Sequence, residues 1–234
     1  MSEDIRSTVS REIEDFKVFL ISQAGTSYDI TANVSNFVCF ESLFEKSLSG
    51  NLTIADNRAL VSTIPVVGQE VIAVTYVYKD TEVDLVFRVN RVEDIKQVND
   101  NGGVYVLRLV SDKVYRSAVN LFSRSYRGKN TEIIAKIHED FLDSPVEVLS
   151  NGGTSHRIAY PYTKPYAAID AILGTTYAED KTPLFLYETL NNNSVKLQSY
   201  GDMISSEDDP VILINANMIN TDPDGQVRRD LPSQ

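Results

Sequence analysis

The chain has 234 residues, 42% of them hydrophobic, with 33 acidic against 22 basic residues and a formal net charge of −11. That length supplies one large core or two modest ones, and the acid excess excludes a surface built mainly to grip nucleic-acid phosphates, which takes clustered Lys and Arg. No apolar run approaches the roughly 20 residues of a membrane-spanning helix, and the start, MSEDIRSTVSREIEDF, is polar, so neither stable membrane insertion nor an export signal is expected.

Lys17–Ile21 and Tyr28–Val34 are predicted strands, joined through Ser22–Ser27 as a hairpin. Phe37–Leu43 and Gly50–Ala55 continue the meander across a Leu48-Ser49-Gly50 turn. After Asp56 a short helical turn leads to Pro65-Val66-Val67-Gly68-Gln69-Glu70, which re-enters a strand. Gly50 and Gly68 are expected to permit turns that other residues resist, and Pro65 presets the approach. Glu70–Tyr78 and Val83–Val98 are long; the first is apolar on both faces, which predicts cover on both sides. Asn99-Asp100-Asn101-Gly102-Gly103 is a strong hairpin turn into Val104–Val110. The first 110 residues thus hold about seven strands and one short helix, at the turn spacing of a sandwich or barrel. Strands this long call for a closed barrel or a neighbouring subunit that covers the edge.

From Ser111 the pattern changes. Asp112–Ser123 and Thr131–Leu142 have helical periodicity, the second capped by Asn130 or Thr131. Ser150–Thr154 is a loop before a strand that ends at Tyr160. Pro165 suits a first helical position, and Tyr166–Leu173 is a helix that Gly174 ends. Leu184–Glu188 and Val195–Ser199 flank Asn191–Asn193 as a hairpin, and the tail from Glu207 is loop-rich around Val211–Ile214. The fold class is α+β, mainly β: an antiparallel β-barrel or sandwich over residues 1–112, then a mixed helix-and-strand domain over 113–234.

Chemistry-bearing patterns are sparse. His138 and His156 are the only histidines, which excludes a His-rich metal centre; His138 is expected on a solvated helical face. Ser155 and His156 are adjacent on a strand, so they face opposite ways and cannot pair as nucleophile and base. Carboxylate pairs such as Glu14-Asp15, Glu139-Asp140 and Glu207-Asp208 are too common in so acidic a chain to mark a glycosidase cleft, and Asp222-Pro223-Asp224-Gly225 reads as a turn. Cys39 is expected to be a buried structural thiol. Arg116, Arg124, Arg127 and Lys129 are expected near a helix end, complementing its dipole. No catalytic, cofactor-binding or metal-binding residue is assigned, and the chain is not expected to be an enzyme.

Three blocks carry a resemblance: Phe40-Glu41-Ser42-Leu43-Phe44, Leu48-Ser49-Gly50-Asn51-Leu52-Thr53-Ile54-Ala55-Asp56 and Ile64-Pro65-Val66-Val67-Gly68-Gln69-Glu70. Fainter ones are Ile158–Pro161, Pro165–Asp170 and Leu184–Glu188. On these residues the chain resembles the central baseplate hub proteins of contractile-tailed bacteriophages. The resemblance implies a tail-tube-like first domain whose strand-to-helix corner is fixed by Phe40, Glu41, Gly50, Asp56, Pro65, Gly68 and Glu70 as structural determinants. The second half then stands as the candidate for a second tube-like domain, although hub proteins continue further than Gln234. It implies a virion protein made in the host cytoplasm, a homotrimer between the hexameric tail tube, or its initiator, and the trimeric central spike. Surrounding baseplate proteins are further implied partners, and DNA would pass an acidic lumen without specific binding. The alternatives are a hexameric tail-tube or tube-initiator subunit, a tail-associated cell-wall hydrolase, and a carbohydrate-binding β-module, which the absence of Trp makes weak.

Overall fold

Alternating apolar residues build one antiparallel sheet from the first half of the chain. In this computed structural model, which describes residues 13–56, 68–78, 81–99, 102–190 and 194–205, its strands are β1 (Glu14–Ile21), β2 (Ser27–Asp29), β3 (Val34–Phe40), β4 (Ser49–Asp56), β5 (Val71–Tyr78), β6 (Thr81–Asn99) and β7 (Gly102–Ser111). They are ordered β2-β1-β5-β6-β7-β4-β3. β6 pairs with β5 over Thr81–Arg88 and with β7 over Phe87–Asn99, and its register shifts between Val89 and Arg91 and again between Glu93 and Lys96. Such bulges bend and twist a strand, and the sheet curls into a half-barrel.

Register decides which residues form the core. Val18 and Leu20 stand opposite Val74 and Ile72, these opposite Leu85 and Phe87, and Leu52 lies between Phe37 and Leu107. All except the half-buried Phe37 are buried. The expectation that Glu70–Tyr78 is covered on both sides is corrected: Ile72 and Val74 are buried, whereas Val71, Ala73, Thr75 and Val77 are half-buried. The reason lies in their neighbours, since on that second face Thr75 sits between Lys17 and Asp84, and Val71 is opposite Arg88. Charges of both signs occupy this face.

Tyr28–Val34, predicted as one strand, is instead β2, a 3-10 turn at Thr31–Asn33 and the start of β3. Asp29 Oδ1 accepts the Thr31 backbone N–H at 2.9 Å, and Thr31 Oγ1 accepts the Val18 N–H at 2.9 Å, so side chains redirect the backbone. β3 ends at Phe40, short of the expected Leu43. The short helical turn after Asp56, and the residues from Glu207 onward, lie outside the described residues.

The second half contains α1 (Asp112–Val119), β8 (Phe122–Gly128), α2 (Asn130–Leu142), β9 (Val146–Val148), β10 (His156–Thr163), α3 (Pro165–Leu173), β11 (Leu184–Glu188), β12 (Val195–Ser199) and α4 (Tyr200–Ser205). β8 pairs with β10, and β12 lies between β11 and β9, parallel to the latter. Ile133, Ile134 and Ile137 of α2 pack with Ala168, Ile169 and Ile172 of α3 and with Leu186 and Leu197 in a second core. α3 begins with Pro165 at its first turn and ends at Gly174, as expected. α1 does not reach Ser123: Asn120 turns extended, its side chain donates to the Phe141 carbonyl at 3.2 Å, and Phe122 stacks on Phe141 at 4.4 Å. Tertiary packing overrides the helical period there.

The cap of α2 is also corrected. Lys129 holds the N-cap position, and its N–H donates to the Glu132 carboxylate at 3.0 Å. Asn130 is already helical and buried, its amide nitrogen donating to Thr176 Oγ1 at 2.6 Å. A long-range partner displaces the capping role. His138, expected in solvent, has no exposed surface. Its Nδ1 donates to the Ser144 carbonyl at 2.7 Å, Nε2 meets no partner among the described residues, and burial depresses its pKa to about 4. The residue faces the core because it lies four positions on from the buried Ile134, on the same helical face.

Candidate functional site

The segment 41–48, between β3 and β4, joins the two cores. Glu41 Oε2 accepts the Leu190 N–H at 2.9 Å, and the Phe44 ring meets Phe185 edge-on at 5.8 Å. Lys46 Nζ lies 2.8 Å from Asp170 and 5.6 Å above the Tyr166 ring. Ser47 Oγ and the Tyr166 hydroxyl share a hydrogen bond of 2.6 Å, and burial pushes that hydroxyl's pKa up. Leu48 inserts its side chain into the first core while its N–H donates to Glu188 Oε2 at 2.9 Å.

Glu188 is the centre of this junction. Besides Leu48 it accepts from Lys113 Nζ at 2.5 Å and from Ser111 Oγ at 3.2 Å, and all three side chains are buried. One carboxylate from β11 therefore ties down the end of β7, the first turn of α1 and the entry to β4. A buried ion pair contributes little net energy when complete, but removing one partner is expensive. The arrangement can fix geometry. Alternation along Leu184-Phe185-Leu186-Tyr187-Glu188 already places Glu188 inward, a signal that sequence reasoning passed over, while Lys113 and Tyr166 carry no local mark.

The seven sequence-derived residues do not gather at one point. Phe40 is about half exposed at the end of β3, and Glu41 starts the linking segment. Gly50 is not in a turn: it lies within β4, opposite Cys39 and Leu109, and a Cβ there would stand 3.0 Å from the Val38 carbonyl oxygen. Close approach of β3, rather than a left-handed backbone, requires glycine. Asp56 is buried at the far end of β4, opposite Gly103. Pro65 lies outside the described residues. Gly68 has φ of 96° and donates its N–H to Glu70 Oε2 at 3.0 Å. Glu70 is buried, and its carbonyl accepts the Val89 N–H at 2.9 Å, which seats the start of β5 against β6.

Cys39 is half-buried, less enclosed than expected because β3 is an edge strand, and burial still raises its thiol to about 11. Of the four basic residues expected near a helix end, only Arg116 lies in the last turn of a helix, where it pairs with Asp112 at 2.6 Å. Arg124 and Arg127 lie on β8, and Lys129 precedes the N-terminus of α2. Ser155 and His156 border a shallow polar concavity of about 540 Å³, with His156 Nδ1 3.0 Å from the Thr154 carbonyl.

Four carboxylates among the described residues have displaced pKa values, all downward. Hydrogen bonds from Thr31 lower Asp29, those from Thr182 lower Asp180, and that from Arg108 lowers Glu93. Burial pushes Asp112 up, but hydrogen bonds from Arg116 and Arg88 outweigh it. Among the described residues no three or more His, Cys, Asp or Glu side chains converge as a metal site, and no helix is long and apolar enough to cross a membrane.

No family model matches the sequence, and no curated protein matches it. The fold is shared with a solved tail protein. The 43 kDa tail protein of prophage MuSo2 from Shewanella oneidensis aligns over 78% of this chain and 53% of its own, at 11% identity and a TM-score of 0.52. A tail protein from Neisseria meningitidis MC58 aligns over 78% of this chain and 50% of its own, at 11% identity and a TM-score of 0.47. A Francisella PdpA-VgrG complex aligns over 83% and 30%, at 13% identity and a TM-score of 0.47. This chain spans about half the length of the Shewanella tail protein.

Proposed function

We propose that the protein is a structural subunit of a phage tail baseplate, the central hub, and not an enzyme. Three copies form a ring between the hexameric tail tube, or its initiator, and the trimeric spike, flanked by other baseplate proteins and threaded by DNA that it does not bind specifically. The observation that carries this reading is the curled seven-stranded sheet, open at β2 and β3 and shared in fold with a prophage tail protein. The edge strands are short, three residues in β2 and seven in β3, but β3 exposes the apolar side chains of Val38 and Phe40; such an edge asks for a neighbour, and a second copy supplies one. Residues 1–112 act as the tube-like domain, and residues 113–234 buttress it as a mixed domain. Phe40, Glu41, Gly50, Asp56, Pro65, Gly68 and Glu70 set the path of the chain around that first domain and need not contact partners. The expected locations are the virion and, during synthesis, the host cytoplasm.

Native mass spectrometry of the purified chain over a concentration series tests this. A trimer is the expected result. A hexamer would replace the hub with a tail-tube subunit, and a monomer at every concentration would overturn the assembly reading.

A further inference from the structure

The register of β8 with β10 puts Arg127 directly opposite Arg157. Like charges opposite one another destabilise a strand pair, so this arrangement works against the ribbon it sits on. Other arginines of the chain meet carboxylates: Arg88 with Asp112, Arg91 and Arg108 with Glu93, Arg124 with Asp140. Arg127 and Arg157 make no ion pair or side-chain hydrogen bond among the described residues, and both are exposed. Alternation gives their face small neighbours, Ser125 opposite Ala159, with Ser155 beyond. The result is a polar concavity of about 540 Å³ with two free guanidinium forks at its wall and serine hydroxyls beside them.

We propose that this arginine pair is a docking site for carboxylates on a second copy of the chain. Charge complementarity selects that partner. A copy carries exposed carboxylates that meet no cation among the described residues, such as Glu82 and Asp84 on one face of β6, and the planar fork of arginine fits them in a bidentate way. The pair and its acidic counterpart are different patches, which makes the contact head-to-tail, the kind that closes rings. Nucleic acid fits less well. Two phosphate contacts would make binding fall only about tenfold between 50 and 200 mM salt, whereas dedicated binders use about 6 to 10 contacts. The inference rests on the assembly reading above in requiring a second copy, but not on the number of copies in the ring.

Sedimentation velocity and native mass spectrometry of the full chain, at low and high ionic strength, test the contact. The expected result is self-association that weakens with salt and that R127E/R157E weakens further by at least about tenfold, with R127K/R157K in between. Circular dichroism checks that the variants fold, and R127Q/R157Q substitutes if charge reversal unfolds the ribbon. Wild-type-like association of a folded R127E/R157E protein overturns the contact and leaves the hub reading standing. A hexamer that dissociates in the same variant supports the contact and overturns the trimeric hub. Wild-type chains that stay monomeric overturn both. A labelled DNA duplex that binds the wild type and not R127E/R157E, with self-association unchanged, reassigns the site to phosphate.

Discussion

The two cores are built from similar numbers of buried apolar residues, yet they are held differently. Around the curled sheet, burial follows strand alternation almost without interruption, and buried polar groups such as Asp56 and Glu70 are confined to strand ends. The second core includes Asn130, Thr131, His138, Thr176 and Ser199 among its buried residues, and Glu188 lies where the two meet. A sheet can satisfy its backbone through pairing and leave side chains to apolar packing, which is non-directional. Four helices and five short strands leave more loose ends, and side chains must satisfy them. The first core should therefore respond to lost volume, and the second to lost partners or added protons.

The largest effect is expected at the junction. Lys113→Met leaves Glu188 buried without its cation and should cost about 3–5 kcal/mol in urea denaturation, whereas K113M/E188L should recover most of it. If the single variant loses less than about 1 kcal/mol, Glu188 is solvated and the junction is weaker than its geometry indicates. In the sheet, Leu107→Ala should cost about 2–5 kcal/mol, because the side chain is fully buried between Leu52 and Val92. A salt titration should leave that loss unchanged, which separates the two regions.

Acid should act on the second core. His138 titrates near 4 when folded and near 6.5 when unfolded. Above about pH 6.5 neither state binds the proton and the stability is complete; between there and pH 4 the unfolded chain takes up a proton that the folded one refuses. The expected loss over that window is about 3 kcal/mol, read as urea midpoints at both ends, and His138→Leu should flatten it. The smallest effect is expected at the corner before β5. Gly68→Ala forces a left-handed backbone on alanine and should cost about 1 kcal/mol, measurable as a small drop in Tm without change in oligomer mass.

Much of the first half was legible because its code is local. Period-two alternation suffices to mark β4 to β7, but Gly102 and Gly103, read as part of a turn, are the first residues of β7; the exact bounds of β11 and β12 follow the same way. Legibility failed where a distant group redirected the chain. Thr31 broke a strand by bonding to Val18, Phe141 drew Phe122 out of a helix, and Thr176 took Asn130 from its capping role. Of the candidate site, Glu41 and Gly68 were visible as a corner, but the segment's purpose was not, since its partners Asp170, Tyr166, Glu188 and Leu190 lie more than a hundred residues on.

By itself, the sequence determined the mainly β class, the order of strands and helices, the acid excess and the scarcity of catalytic patterns, because composition and short-range periodicity carry those properties. Only the tertiary structure decided that β2 and β3 stand at the edges of the described sheet, that Glu188 and Lys113 lock the cores together, that His138 is buried, and that Arg127 faces Arg157. Each of these depends on which distant residues meet, and register and packing set that only when the whole chain has folded.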